Sequence, residues 1–313
     1  MKKNILIAVL ISLAFVLGCT TEEGAETASM TSPFLGGAVG VVSDFIDLRT
    51  EVFDSGRDPF DIVIKLENQG ESKIAKEDIR VKLSGFNPVE FGKTEQDLTK
   101  NPDDSLTEKM KDSQGNVIPS APVFVEFKGL NHAAKITGAR INLPIRADIC
   151  YMYTTEAISK LCIRRNILNP PAGGICEITE TKPVFNSGSP IQFMDFKEMS
   201  RSKDKIGFSF EIKNVGTGDL FEMGSVCDRS MRGYENKVYV KVSTNLDGLS
   251  CTGLESKGRI AEGFVLLFDK SKIITCTQAV STSTDFEQVV SLEGTYDYEE
   301  FKQAQITVKS SGE

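Results

Sequence analysis

Phe60-Asp61-Ile62-Val63-Ile64-Lys65-Leu66-Glu67-Asn68-Gln69-Gly70 carries an apolar side chain at every second position and closes on Asn-x-Gly. Side chains of a strand alternate between its two faces, so this stretch is a half-buried strand running into a tight turn. Ile206-Gly207-Phe208-Ser209-Phe210-Glu211-Ile212-Lys213-Asn214-Val215-Gly216 repeats the pattern 146 positions later, with Phe60, Ile62, Ile64 and Leu66 answered by Ile206, Phe208, Phe210 and Ile212. Further along, Ile79-Arg80-Val81-Lys82-Leu83 is matched by Val238-Tyr239-Val240-Lys241-Val242 at an offset of 159, so the second copy holds about 13 extra residues, among them Cys227. Tyr151-Met152-Tyr153 is matched by Tyr296-Asp297-Tyr298 at an offset of 145, and a strand-like segment follows each pair, at 161–163 and 306–308. Three matched signals in one order, at so long a period, indicate a duplicated domain and not a solenoid.

Alternating apolar runs at 123–127 and 264–268 add further strands, while no amphipathic helix of 12 or more residues is legible; 105–113 and 285–290 read as short turns. The expected fold is all-β, with two tandem immunoglobulin-like β-sandwich domains over 34–185 and 186–313. The boundary is expected within Asn186-Ser187-Gly188-Ser189-Pro190, a turn- and linker-like stretch. The apolar, glycine-rich segment 34–42 reads as an edge strand docked on the first domain or as a segment awaiting a partner strand, and the docked strand is preferred because an exposed apolar edge invites aggregation. Both rings of each Tyr-x-Tyr pair share one face of a strand, where they are expected to line the core.

The 313 residues are 40% hydrophobic and 26% charged, an ordinary globular composition. The net charge of −8 and the lack of a basic block argue against nucleic acid as a partner. His132 is the only histidine, which excludes any site needing two imidazoles, and there is no tryptophan to stack on a sugar.

Lys2 and Lys3 precede an uncharged, nearly wholly apolar run at 5–17, too short to span a bilayer but of the length of a signal-peptide core. The run ends in Val16-Leu17-Gly18-Cys19, which resembles the lipobox of prokaryotic lipoproteins, and that resemblance implies Cys19 as the lipidated first residue after removal of 1–18. Residues 19–33 are then a flexible tether, rich in Thr, Glu, Ala, Gly and Ser. The expected location is extracytoplasmic, on the outer face of the cell membrane, with the membrane engaged through the N-terminal anchor. Beyond Cys19 lie Cys150, Cys162, Cys176, Cys227, Cys251 and Cys276, an even number with no CxxC spacing, which favours disulfides over a zinc ribbon or a thioredoxin-like centre. Cys251 with Cys276 joins two strand-like runs, Cys162 with Cys176 closes a Pro- and Gly-containing loop, and Cys150 with Cys227 follows by elimination; sequence alone leaves other connectivities open.

The strand that ends in Asn68-Gln69-Gly70 or Asn214-Val215-Gly216 resembles the Asn-x-Gly turn of CARDB-like immunoglobulin-type domains of archaeal and bacterial exported proteins. That resemblance implies spacers, adhesion modules or scaffold parts, with no shared catalytic residues. The repeat-turn residues Asn68, Gly70, Asn214 and Gly216 carry it.

Candidate catalytic groups are sparse. Phe91-Gly92-Lys93-Thr94 lacks the upstream glycine of a phosphate-binding loop, since position 87 is Asn. There is no GxSxG, and any Ser-His-Asp triad would rest on His132, which sits in a turn-like Gly-Leu-Asn-His context and is expected to be exposed and structural. The near carboxylate pairs Asp103-Asp104, Glu177 with Glu180, and Glu299-Glu300 are the number chance supplies among 44 acids. Asp103, Asp104 and Asp112 lack an EF-hand spacing and read as solvated loop, so neither a metal nor a cofactor is expected. The function expected is that of a non-enzymatic structural, adhesion or protein-interaction scaffold whose partners are other cell-surface or envelope proteins. The alternative is an extracytoplasmic module that binds a glycan, peptide or calcium at its loops or at the domain junction.

Overall fold

The computed structural model describes residues 31–170 and 174–312; the leader 1–18 and Cys19 lie outside the described residues. The first copy of the repeat contributes β1 (Val41–Ile46), β2 (Glu51–Phe53), β3 (Phe60–Asn68), β4 (Ile79–Ser84), β5 (Thr99–Lys100), the small hairpin β6 (Met110–Lys111) and β7 (Val117–Ile118), β8 (Val123–Leu130) and β9 (Arg140–Ile163). β10 (Thr181–Lys182) and β11 (Phe185–Asn186) lie at the junction, and the second copy contributes β12 (Ile191–Ser202), β13 (Lys205–Asn214), β14 (Asp219–Phe221), β15 (Lys237–Ser243), β16 (Leu249–Cys251), β17 (Glu255–Lys257), β18 (Ile260–Leu266), β19 (Ser271–Ala279) and β20 (Phe286–Lys309). Only three one-turn 3-10 helices accompany them among the described residues, so the fold is all-β, and none of its helices is long and apolar enough to cross a membrane.

The sheets pack as β-sandwiches. β1-β3-β8 forms one small sheet and β10-β12-β13-β19-β16 another, and both cover a ten-stranded sheet ordered β17-β18-β15-β20-β9-β4-β5 along its main path. The alternation read in 60–66 and 206–212 is the core face of β3 and β13: Ile62, Ile64, Leu66, Phe208, Phe210 and Ile212 are fully buried. Each such side chain contributes about 1.5–3 kcal/mol relative to exposure. In β12 the alternation shifts by one at a bulge between Met194 and Lys197, where Asp195 has φ 51°, so that Phe193 and Phe196 both enter the core. Phe196 then stacks on Phe208 with ring centroids 5.3 Å apart. Segment 34–42 leads into β1, which docks antiparallel on β3 with Val41 opposite Asn68.

The two copies share their longest strands. β9 and β20 are each 24 residues long and pair antiparallel from end to end, with Tyr151 opposite Tyr298 and Tyr153 opposite Tyr296. Met152 lies opposite Asp297, its counterpart at the repeat offset of 145, so a pseudo-twofold axis passes between these two residues. As a result each long strand begins in one sandwich and ends in the other. The start of β9 pairs with β4 of its own copy, whereas its last third meets β12, where the Cys162 N–H donates to both carboxylate oxygens of Glu198 at 3.0 and 2.9 Å. Conversely β20 begins beside β15, and its end pairs in parallel with β2 of the first copy. Asp54, just beyond β2, accepts from Ser311 N–H at 2.8 Å and Ile136 N–H at 2.9 Å, which hold its carboxyl down at about 2.

Several local expectations differ from this arrangement. The segments at 161–163 and 306–308 are not separate strands but the ends of β9 and β20, because the pairing of these two strands runs without interruption from the Tyr-x-Tyr segments to their ends. Residues 286–290 are the start of β20 and not a turn, and 110–111 belong to the β6–β7 hairpin. The stretch 186–190 is threaded through the interior: Ser187 and Ser189 are buried, and Ser187 bonds to the Glu156 backbone on β9.

Candidate functional site

The Asn-x-Gly turns act as locks on the central strands. Tyr153 Oη donates to Asn68 Oδ1 at 3.2 Å and accepts from Ser72 N–H at 3.3 Å; Asn68 Nδ2 donates to Ser72 O at 2.7 Å, and Gly70 N–H returns to Asn68 Oδ1 at 3.0 Å. In the second copy Tyr298 Oη donates to Asn214 Oδ1 at 3.1 Å and accepts from Gly218 N–H at 2.9 Å, with Gly216 N–H on Asn214 Oδ1 at 3.1 Å. The glycines are required by proximity. A Cβ on Gly70 would lie 2.0 Å from Tyr153 Oη, and one on Gly216 would lie 2.4 Å from Tyr298 Oη. Asn68, Gly70, Asn214 and Gly216 are therefore structural residues that seat Tyr153 and Tyr298, which are interior together with Tyr151 and Tyr296.

The extra residues of the second copy, 222–236, fold back over the outer face of the central pair. The structure joins Cys150 to Cys227, which ties this flap down, and joins Cys162 to Cys176 and Cys251 to Cys276. Asp297 points into the flap and accepts from Gly224 N–H at 3.1 Å, Val226 N–H at 2.6 Å and Ser225 Oγ at 3.2 Å; burial still raises its carboxyl. Between flap and sheet lies a groove of about 910 Å³, walled by Ser225–Ser230 and floored by β4, β9 and β20. Its charges are largely matched from within: Arg229 reaches Asp219 at 2.6 Å and also bonds Glu299, Arg80 bonds the Val226 carbonyl, and Ser84 bonds Asp148.

A second cavity, of about 660 Å³, opens beside it at the seam between the copies, where the approach to β1 meets the second Asn-x-Gly turn. Val39, Val42, the backbone of 216–218, Phe301, Arg146 and Glu300 line it. Arg146 lies over the Phe301 ring at 3.9 Å. Among the described residues no hydrogen bond or ion pair reaches the Glu300 carboxylate, and burial alone raises it to about 7.

The remaining candidates do not assemble into a reaction centre. His132 is buried and not exposed as the turn-like context implied; its ring packs edge-on against Phe91 at 5.2 Å, with no hydrogen bond to either ring nitrogen among the described residues and Glu90 3.9 Å away. The tertiary reason is the 3-10 turn Pro88–Phe91, which the Ala133 and Asn131 N–H groups dock onto and which closes over the ring. Asp103 and Asp104 are exposed, Asp112 shapes the β6–β7 turn through Gln114 and Asn116 N–H, and Glu299 and Glu300 face opposite sides of β20. Among the described residues no group of three metal-ligating side chains converges. Sequence reading missed the buried pair Glu198 and Lys182, 4.0 Å apart, in which burial raises Glu198 to about 8. No local signal marks it, since the β12 bulge decides that Glu198 faces inward.

Comparison with known proteins adds little. No protein-family model matches the chain, and no curated protein does. Among solved structures the chain is similar to a serine-rich repeat adhesion glycoprotein of Streptococcus agalactiae, at 9% identity over 84% of this chain and 91% of that one, with a TM-score of 0.17. What the fold itself defines is a disulfide-stapled, all-β protein, and three disulfides fit an extracellular setting.

Proposed function

We propose that this protein is a non-enzymatic cell-surface lipoprotein, an adhesion or protein-interaction scaffold built from two CARDB-like immunoglobulin-type modules, 34–185 and 186–313. It is held at the outer face of the membrane by Cys19 and carried clear of it by the tether 19–33. The observation that carries this reading is the lipobox-like Val16-Leu17-Gly18-Cys19 ahead of a body stapled by three disulfides. The shared strands support it, since they join the two modules through a continuous 24-residue ladder. Other surface or envelope proteins are the partners this reading requires. A second reading, a ligand-binding module, is favoured by the seam cavity and its half-buried Glu300, which has no hydrogen-bond partner among the described residues.

The test is the intact mass of the protein purified from its native membrane, with and without reduction and alkylation. A chain that starts at Cys19 with added lipid, and takes up alkylating agent only after reduction, is expected. A full-length, unlipidated chain with freely alkylated cysteines would refute the proposal.

A further inference from the structure

The duplication supplies an internal control for the seam cavity. At the repeat offset of 145, Glu300 corresponds to Thr155, and Tyr151 to Tyr296. The two environments begin alike: Val41 N–H donates to Tyr151 Oη at 3.2 Å, and Ile191 N–H to Tyr296 Oη at 3.4 Å. Since Val41 faces Asn68 and Ile191 faces Asn214 in the strand registers, Val39 corresponds to Ser189. From here the copies diverge. Thr155 Oγ1 bonds Ser189 Oγ at 2.9 Å, Ile191 O at 2.9 Å and Tyr296 Oη at 3.0 Å, so this seam is closed and its polar atoms are satisfied. At the other seam Ser is replaced by Val39 and Thr by Glu300; the hydroxyl pair is lost, and a cavity of about 660 Å³ remains with a carboxylate on its wall that has no hydrogen-bond partner among the described residues.

We propose that this cavity is a binding site for an organic ammonium group, with Glu300 as its counter-ion and Val39, Val42 and the Phe301 edge covering the attached carbon skeleton. The neighbouring charges leave that role to Glu300. Arg229 is taken up by Asp219 and Glu299, and Arg146 by Asp148 and the Phe301 ring. Of the other titratable groups close by, Tyr151 and Tyr298 are held neutral by burial. A half-buried carboxylate against apolar side chains is costly unless a cation meets it. Because burial raises Glu300 to about 7, a cation that needs it ionised binds more tightly as pH rises through that value.

This inference deepens the ligand-binding reading and is independent of the lipid anchor, so its failure would leave the intact-mass test of the scaffold reading standing. The experiment titrates benzylammonium, and benzyl alcohol as its neutral counterpart, into the purified protein, and follows thermal stabilisation and the Glu side-chain 13C signals. Saturable binding of benzylammonium is expected, about tenfold tighter at pH 8 than at pH 6. Glu300→Gln should weaken it at least tenfold, and Glu300→Thr, which restores the residue of the closed seam, should abolish it; both variants should retain the wild-type disulfides and circular dichroism. An N-acetyl-lysine methylamide arm distinguishes a lysine side chain, which would bind more tightly than benzylammonium, from a free amine, which would not. Equal binding of the alcohol and the ammonium, unchanged affinity in Glu300→Gln, or no saturation at millimolar ligand would each overturn the proposal.

Discussion

Because the long strands cross between sandwiches, a core residue near the end of β20 should stabilise the first copy although it belongs to the second. Ile306 is the probe, being fully buried, while its neighbour Thr307 is only half-buried and faces the other side. Ile→Ala in a close-packed core costs about 2–5 kcal/mol, made up of lost transfer energy and the cavity left behind. Complete burial in a sheet that is paired on both sides there, to β9 and to β2, puts Ile306→Ala near 3 kcal/mol. That is about a hundredfold in the opening equilibrium. Native-state hydrogen exchange read by mass spectrometry locates the loss. Amides of β3 and β4 should exchange about a hundredfold faster, while β13 and β19 change less. The reciprocal variant Leu161→Ala, in the crossing half of β9, should spare β3 and expose β13. Loss of protection confined to each residue's own copy, or a destabilisation under 1 kcal/mol on urea unfolding, would refute the strand exchange.

Gly70→Ala drives a Cβ to 2.0 Å from Tyr153 Oη and 2.3 Å from the Gly188 carbonyl, and should cost about 3 kcal/mol, measured as a lower urea midpoint at unchanged m-value. Glu198 holds its proton more tightly folded than unfolded, so its contribution to stability falls as pH rises from about 4.3 towards 8. Glu198→Gln should therefore match the wild-type melting temperature near pH 4 and exceed it at pH 9, and parallel curves would contradict the burial argument. Replacing both Cys251 and Cys276 by Ser opens a loop with a sequence separation of 25 and should cost about 3.5 kcal/mol by the chain-entropy relation, read by denaturant unfolding under non-reducing conditions.

How the candidate site was legible follows the range of the interactions involved. The Asn-x-Gly turns could be read because their period-2 strands and turn residues are local signals, and both copies repeat them. Their tyrosine partners lie more than 80 residues away, so the lock itself has no local trace. His132 was misplaced for the same reason, since the turn that buries it comes from residues 88–91. Glu300 read as one of many chance acid pairs, and only the repeat correspondence that matches it to the fully hydrogen-bonded Thr155 distinguishes it from Glu299.

The sequence by itself determined the all-β class, the duplication, the alternating core faces of β3 and β13, and the even set of cysteines beyond Cys19. These depend on side-chain period, turn chemistry and composition, which a linear chain displays directly. The tertiary structure decided that the Tyr-x-Tyr segments and the segments after them are single 24-residue strands, that these pass between the sandwiches, and that 222–236 roof their outer face. Strand partners are chosen by hydrogen-bond register between residues far apart in the chain. An alternating run of apolar residues looks the same whichever sandwich it completes.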